Sequence, residues 1–284
     1  MGYRSSPAGL PLLLGLILAV SLLPTTWGVG SPVEIYDREC RFDGAWNYVK
    51  DHMPIGQVFY PRLATLTKVE VLVESKWGGQ TPFTVKVRKG SITGPVIASK
   101  NFVMGPGASG WVALEIDPPA AVDPGQPYVI ELSTGYPLVW HASVGGACNG
   151  HAITDGTSDS IDYLYRTAGL KPDFDVELNE TEVTLRQGES VQVEVSLTSL
   201  YRGYGIVPIQ ASPDLSDKGV TIEFDDDSLN LPPGGEVKTT MTITASEDAD
   251  VGDYDIGVVG TLSGYWGFVS DQADLTIHVE EAPR

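Results

Sequence analysis

Positive charge is scarce in this chain. Of 284 residues, 18 are Lys or Arg against 37 Asp or Glu, a formal net charge of −19. Binding nucleic acid requires a basic stripe to meet phosphates, and no such stripe is present, so a nucleic-acid partner is excluded. Histidines number only four and cysteines two. None of His52, His141, His151 and His278 stands in a Gly-x-Ser-x-Gly or His-Glu-x-x-His setting, which leaves a hydrolytic triad or zinc protease without its base. A non-catalytic protein is therefore expected. Sustained 3.6-residue apolar periodicity is also missing, which argues against a helical fold.

Long apolar runs are confined to the beginning. Leu10 to Leu23 is an apolar stretch of about 14 residues behind Arg4, short for a membrane span of ~20 residues and suited to a secretory signal. Gly28-Val29-Gly30 places cleavage before Ser31, giving a signal segment at 1–30; the alternative is an uncleaved anchor. The protein is accordingly expected to be secreted or held at the cell surface. Export agrees with the cysteine count, because an even pair in an oxidising compartment most simply forms one disulfide, Cys40–Cys148. Closing a loop of 108 positions is worth roughly 4–5 kcal/mol in the chain-entropy model. Asn179-Glu180-Thr181 is an N-glycosylation sequon.

What the chain has in plenty is glycine (32), proline (20) and short alternating segments. Leu66 to Val73, Phe83 to Val87, Trp111 to Ile116, Tyr128 to Leu132, Leu138 to Ser143 and Ile161 to Tyr165 read as strands separated by Gly/Pro turns. About eight strands over residues 31–170 predict a jelly-roll β-sandwich. Residues 171–284 alternate more cleanly, with Val191, Val193, Val195 and Leu197 on one face and Thr239, Met241, Ile243 and Ala245 on another. Seven or so strands there predict an immunoglobulin-like sandwich, in which Tyr254 either makes a tyrosine-corner hydrogen bond or is an ordinary core tyrosine. The fold class is all-β throughout. Charge divides unevenly: residues 31–170 hold 11 basic and 14 acidic residues (net −3), residues 171–284 hold 6 and 23 (net −17).

Motifs in the second half carry a resemblance. Asp173-Phe174-Asp175-Val176, Gln187-Gly188-Glu189-Ser190-Val191, Leu231-Pro232-Pro233-Gly234-Gly235 and Ala249-Asp250-Val251-Gly252-Asp253-Tyr254 resemble immunoglobulin-like domains of exported bacterial and archaeal proteins. The resemblance implies a spacer or presentation module without an active site. Gly56-Gln57-Val58-Phe59, Asp123-Pro124-Gly125-Gln126-Pro127-Tyr128 and Asp162-Tyr163-Leu164-Tyr165-Arg166-Thr167 more loosely resemble carbohydrate-binding, galactose-binding-type sandwiches.

Sugar rings stack on flat aromatics while amides and carboxylates orient them. Trp77 in its Gly-rich turn, Tyr136 and Trp140 are the candidate platform, with Gln80 and Asn149 as polar partners; the alternative is core filling, the usual place of strand tryptophans such as Trp111 and Trp140. Tyr201 to Gly205 and Tyr265 to Phe268 are aromatic, loop-like and suited to a protein contact. No cofactor is required. The acidic loops with Asp248, Asp250 and Asp253, and with Asp155 and Asp159, either hold Ca2+ or stand as solvated turns. Asp225-Asp226-Asp227-Ser228-Leu229-Asn230 lacks the EF-hand fifth ligand and glycine. The expected partner is an extracellular polysaccharide or cell-surface polymer. The rival is a structural subunit of a surface layer or filament, assembling with copies of itself or with a protein partner.

Overall fold

Alternation of apolar and polar residues at period two buries one face of each strand, so such a chain folds by closing sheets face to face. The computed structural model describes residues 31–40, 44–144 and 148–283. The proposed signal segment at 1–30 lies outside them. Among the described residues every regular element is a strand except two 3-10 turns, Val49–Asp51 and Ser216–Lys218, and the all-β expectation holds. Contacts hold Ser31–Arg284 together as one unit.

Every ladder among the described residues joins strands within 34–170 or within 173–280. The first group forms a seven-stranded and a six-stranded sheet, more strands than the eight expected. The extra ones are short, such as Ala45–Tyr48, or lie at an edge, such as Val96–Met104, whose apolar residues do not alternate cleanly. Thr65–Ser75 anchors the seven-stranded sheet and alternates buried and half-buried residues from Thr67 onward. Facing it, Ile55–Phe59 and Tyr128–Ser133 form the middle of the six-stranded sheet. Phe59, Tyr128, Trp140, Tyr163 and Tyr165 fill the space between. Gln57 links the two layers: its Nε2 donates to Asp162 Oδ1 at 3.0 Å and its Oε1 accepts the Tyr163 N–H at 2.7 Å. The Cys40–Cys148 disulfide, with Cα atoms 5.2 Å apart, ties the end of Glu34–Glu39 in one sheet to the approach to Gly150–Thr154 in the other.

The second group forms a four-stranded sheet (Asp173–Leu178, Ser190–Leu200, Glu236–Ala245, Val220–Phe224) against a five-stranded one. Val193, Val195, Leu197, Met241, Ile243 and Ala245 are buried as their alternation requires. Tyr254 Oη donates to the Asp250 carbonyl at 2.8 Å, the corner bond, the first of the two roles expected of it.

The two sandwiches meet through the aromatic loops of the second. Tyr265 Oη donates to Asp37 Oδ1 at 2.8 Å, and the Arg62 guanidinium lies 3.6 Å above the Tyr265 ring. Asp37, buried, also accepts from the N–H groups of Arg62 and Leu63 and pairs with Arg62 Nε at 3.0 Å. Tyr204 Oη donates to the Arg62 carbonyl, and Arg202 Nε donates to the Ala64 carbonyl at 3.0 Å. Gly203 sits so close to Asp173 that a Cβ there would fall 2.1 Å from its carbonyl oxygen, so only glycine fits. The Tyr265 hydroxyl is held protonated by burial and by the neighbouring Asp37 charge.

Candidate functional site

Three connections cross between the layers of the first sandwich at one end: 76–80, 105–108 and 134–137. They are fastened to one another. The Ser75 N–H donates to the Ala108 carbonyl and the Lys76 N–H to the Pro137 carbonyl, each at 2.8 Å. Beneath them the buried hydroxyls of Ser75 and Thr81 lie 2.6 Å apart, and Thr134 Oγ1 donates to the Pro82 carbonyl at 2.7 Å. Loops fixed this way present their side chains in defined positions. Trp77 and Tyr136, 48% and 40% exposed, stand next to each other with ring centroids 6.4 Å apart and planes at 59°. Gly79 lies against the Trp77 ring, where a Cβ would sit 3.0 Å from Nε1. Gln80 is exposed on the same loop.

Trp140 is a correction. It is fully buried, stacks on Tyr163 at 4.5 Å and 16°, and donates its indole N–H to the Leu164 carbonyl at 3.0 Å. Its strand Leu138–Val144 has neighbours on both sides, so Leu138, Val139 and Trp140 are all covered. A ligand has no access to it. Asn149 is exposed but belongs to the approach to Gly150–Thr154, where its carbonyl accepts from Tyr165 Oη at 3.5 Å. It is not among the residues fastening the crossover loops. Trp111 is half-buried, packs against the core of the first sandwich and carries the Arg166 guanidinium 4.1 Å over its ring.

The acidic loops direct their carboxylates to separate partners. Asp248 accepts from Ser246 Oγ at 2.7 Å, Asp250 faces Lys218 Nζ at 3.6 Å, and Asp253 meets His278 Nδ1 at 2.6 Å. Asp155 faces His52 Nδ1 at 3.2 Å, and Asp159 accepts the Ser160 N–H at 2.6 Å. Among the described residues no three His, Cys, Asp or Glu side chains converge as a metal site. Asn179 is exposed, its Oδ1 accepting from the Glu194 N–H at 2.7 Å.

Two features escape a reading of the sequence. Trp46 is 49% exposed and stands edge-on to Tyr48 at 5.3 Å. A cavity of about 390 Å3 opens on the outer face of the six-stranded sheet, lined by Val58, Tyr60, Ile92, Val129, His151 and Ile153. Its walls come from four remote segments, and only Val58 and Phe59, apolar at successive positions of a strand buried throughout, hint at cover on both faces.

No protein-family model and no curated protein matches the chain. Among solved structures, domains 4 and 5 of the S-layer protein SbsC share 13% identity over 56% of this chain and 68% of that one, with a TM-score of 0.27. AggA, the major subunit of the aggregative adherence fimbriae type I of Escherichia coli, shares 9% over 40% of this chain and 97% of its own, at 0.26. A β-glucuronidase of Bacteroides uniformis shares 8% over 78% and 26%, at 0.22. Similarity of this degree assigns neither ligand nor partner.

Proposed function

We propose that this is an exported, non-catalytic binding protein whose Trp77–Tyr136 pair stacks on the sugar rings of an extracellular polysaccharide or cell-surface polymer. The observation that carries the reading is the placement of two half-exposed rings on mutually fastened loops. Gln80 supplies a polar group beside them. Thr65–Ser75 begins at the junction with the second sandwich and ends at these loops, so about 33 Å separates the two ends of that strand. The second sandwich then acts as an acidic spacer that keeps the rings clear of the attachment point. Its strand order, first–third–seventh–fifth against second–ninth–eighth–fourth–sixth, lies close to the ABED and GFC sheets of immunoglobulin-type sandwiches and supports that role. The disulfide is in keeping with an oxidising compartment, where Asn179 is the glycan acceptor.

Retention on immobilised polysaccharides tests this. Trp77→Ala is expected to weaken retention by about tenfold or more, equivalent to about 1.4 kcal/mol, with the thermal midpoint almost unchanged. Unaltered retention, or a collapse in stability showing Trp77 to be structural, would overturn it.

A second reading, a subunit of a surface layer or filament, is favoured by one observation. Val96–Met104 and Val220–Phe224 each end a sheet and leave backbone groups open to another strand.

A further inference from the structure

Two open strand edges on this molecule carry opposite charge. Val96–Met104 closes the six-stranded sheet and, among the described residues, pairs with Thr81–Lys89 alone. Val96 and Val103 are exposed on it. Lys100 stands opposite Val85, which is fully buried, so the lysine is on the core-facing side of an edge strand, its Nζ 5.3 Å over the Phe102 ring. Residues 81–104 contain no acidic residue; Lys86 and Arg88 on the neighbouring strand pair with Glu131 and Lys89 with Asp123, and Lys100 is the charge on the edge strand itself. An inward lysine at an edge blocks pairing with another copy of the same edge, because Lys100 would meet Lys100. It does not repel an acidic one.

Val220–Phe224 is that acidic edge, ending the four-stranded sheet and pairing with Glu236–Ala245. Residues 205–231 hold Asp214, Asp217, Glu223, Asp225, Asp226 and Asp227 against Lys218 alone. Beside the strand lies a cavity of about 300 Å3 walled by Ile209, Leu215, Ile222 and Phe224, with Asp214 and Asp227 also lining it. Apolar walls accompanied by carboxylates suit a lysine, whose methylene stem lies on apolar surface while the ammonium meets the charges.

We propose that a second copy of this chain docks its Val96–Met104 edge along Val220–Phe224, with Lys100 entering the cavity bearing Asp214 and Asp227. The two edges are different surfaces, so the contact is head-to-tail and repeats into an open array rather than closing a symmetric dimer. The proposal rests on the assembly reading above and is independent of the Trp77–Tyr136 pair.

Sedimentation velocity of the disulfide-bonded full chain, from about 1 to about 300 µM at about 20 mM and about 500 mM NaCl, tests it, because screening differs severalfold between these salts. The expected result is growth of the sedimentation coefficient with concentration in low salt, reversed in high salt. Lys100→Glu and Asp227→Lys, each checked for an unchanged thermal midpoint, are expected to raise the association midpoint about tenfold or more when alone. Mixed in equal amounts they are expected to assemble again, because each altered edge then finds a complementary one. A monomer under every condition, a symmetric dimer only, variants that assemble like the parent, or a mixture that stays monomeric would overturn the proposal. Polysaccharide retention by a strictly monomeric protein would do so while leaving the binding reading intact.

Discussion

Two tryptophans of this chain have opposite fates for reasons that lie in their neighbours. Trp77 stands two residues past the end of Thr65–Ser75 and precedes Gly78 and Gly79, where no sheet covers it. Trp140 sits within a strand flanked on both sides and closes on Tyr163. Trp140→Ala is expected to cost about 3–5 kcal/mol in urea unfolding, the range for emptying a large core site. A loss below about 1 kcal/mol would contradict the burial described. The exposure of Trp77 was legible because glycines mark the turn. The burial of Trp140 was legible only as an alternative, from its place in a strand, because nothing in Tyr136 to His141 says which strands will lie alongside. The aromatic loops of the second half were legible as a contact surface. Their partner was not: Asp37 and Tyr265 meet across 228 positions of sequence.

At the scale of elements, alternation located several central strands within a few residues, missed Ile55–Phe59, which is buried on both faces, and failed at edges, where one side has no neighbour to bury against. Val96–Met104 and Val220–Phe224, both terminal in their sheets, escaped it for that reason. Charge placed on adjoining strands also gives the second sandwich a pH dependence. Asp175 on Asp173–Leu178 has its carboxyl pushed up to about 6, by burial first, then by Asp271, Glu177 and Asp173. The folded state therefore holds a proton between the ordinary aspartate range and about 6 that the unfolded chain has lost, and stability falls as pH rises through that window. His278 acts in the same direction. Asp253 and Glu182 accept from its two ring nitrogens and raise its pKa, so its contribution is fully present below the ordinary histidine value and is lost as pH climbs through the raised one. Asp175→Asn is expected to raise the thermal midpoint at pH 7 and flatten its slope between pH 4 and 6 (about the window just derived). An unchanged slope would show that Asp175 does not titrate there.

Across the whole molecule, the junction decides whether two sandwiches behave as one body. Asp37 is buried beneath Arg62 and gathers Tyr265 from the far end of the chain. Removing it leaves Arg62 and several donors without their acceptor, and Asp37→Ala is expected to cost about 2–4 kcal/mol. In calorimetry the parent is expected to unfold in one transition and the variant in two, the first sandwich separating from the second. Two transitions in the parent would show the sandwiches to be uncoupled. The proposed spacer role depends on that coupling, because rings at the far end of Thr65–Ser75 are held away from the second sandwich only while the junction stays closed.

The account turns on which indole meets a ligand. Proton–nitrogen correlation spectra of the tryptophan side chains, recorded during titration with a panel of soluble oligosaccharides, read this residue by residue. The Trp77 indole is expected to shift with at least one sugar, while the Trp140 indole, bonded to the Leu164 carbonyl, stays fixed. A Trp77 signal unmoved by every sugar in the panel would contradict the assignment.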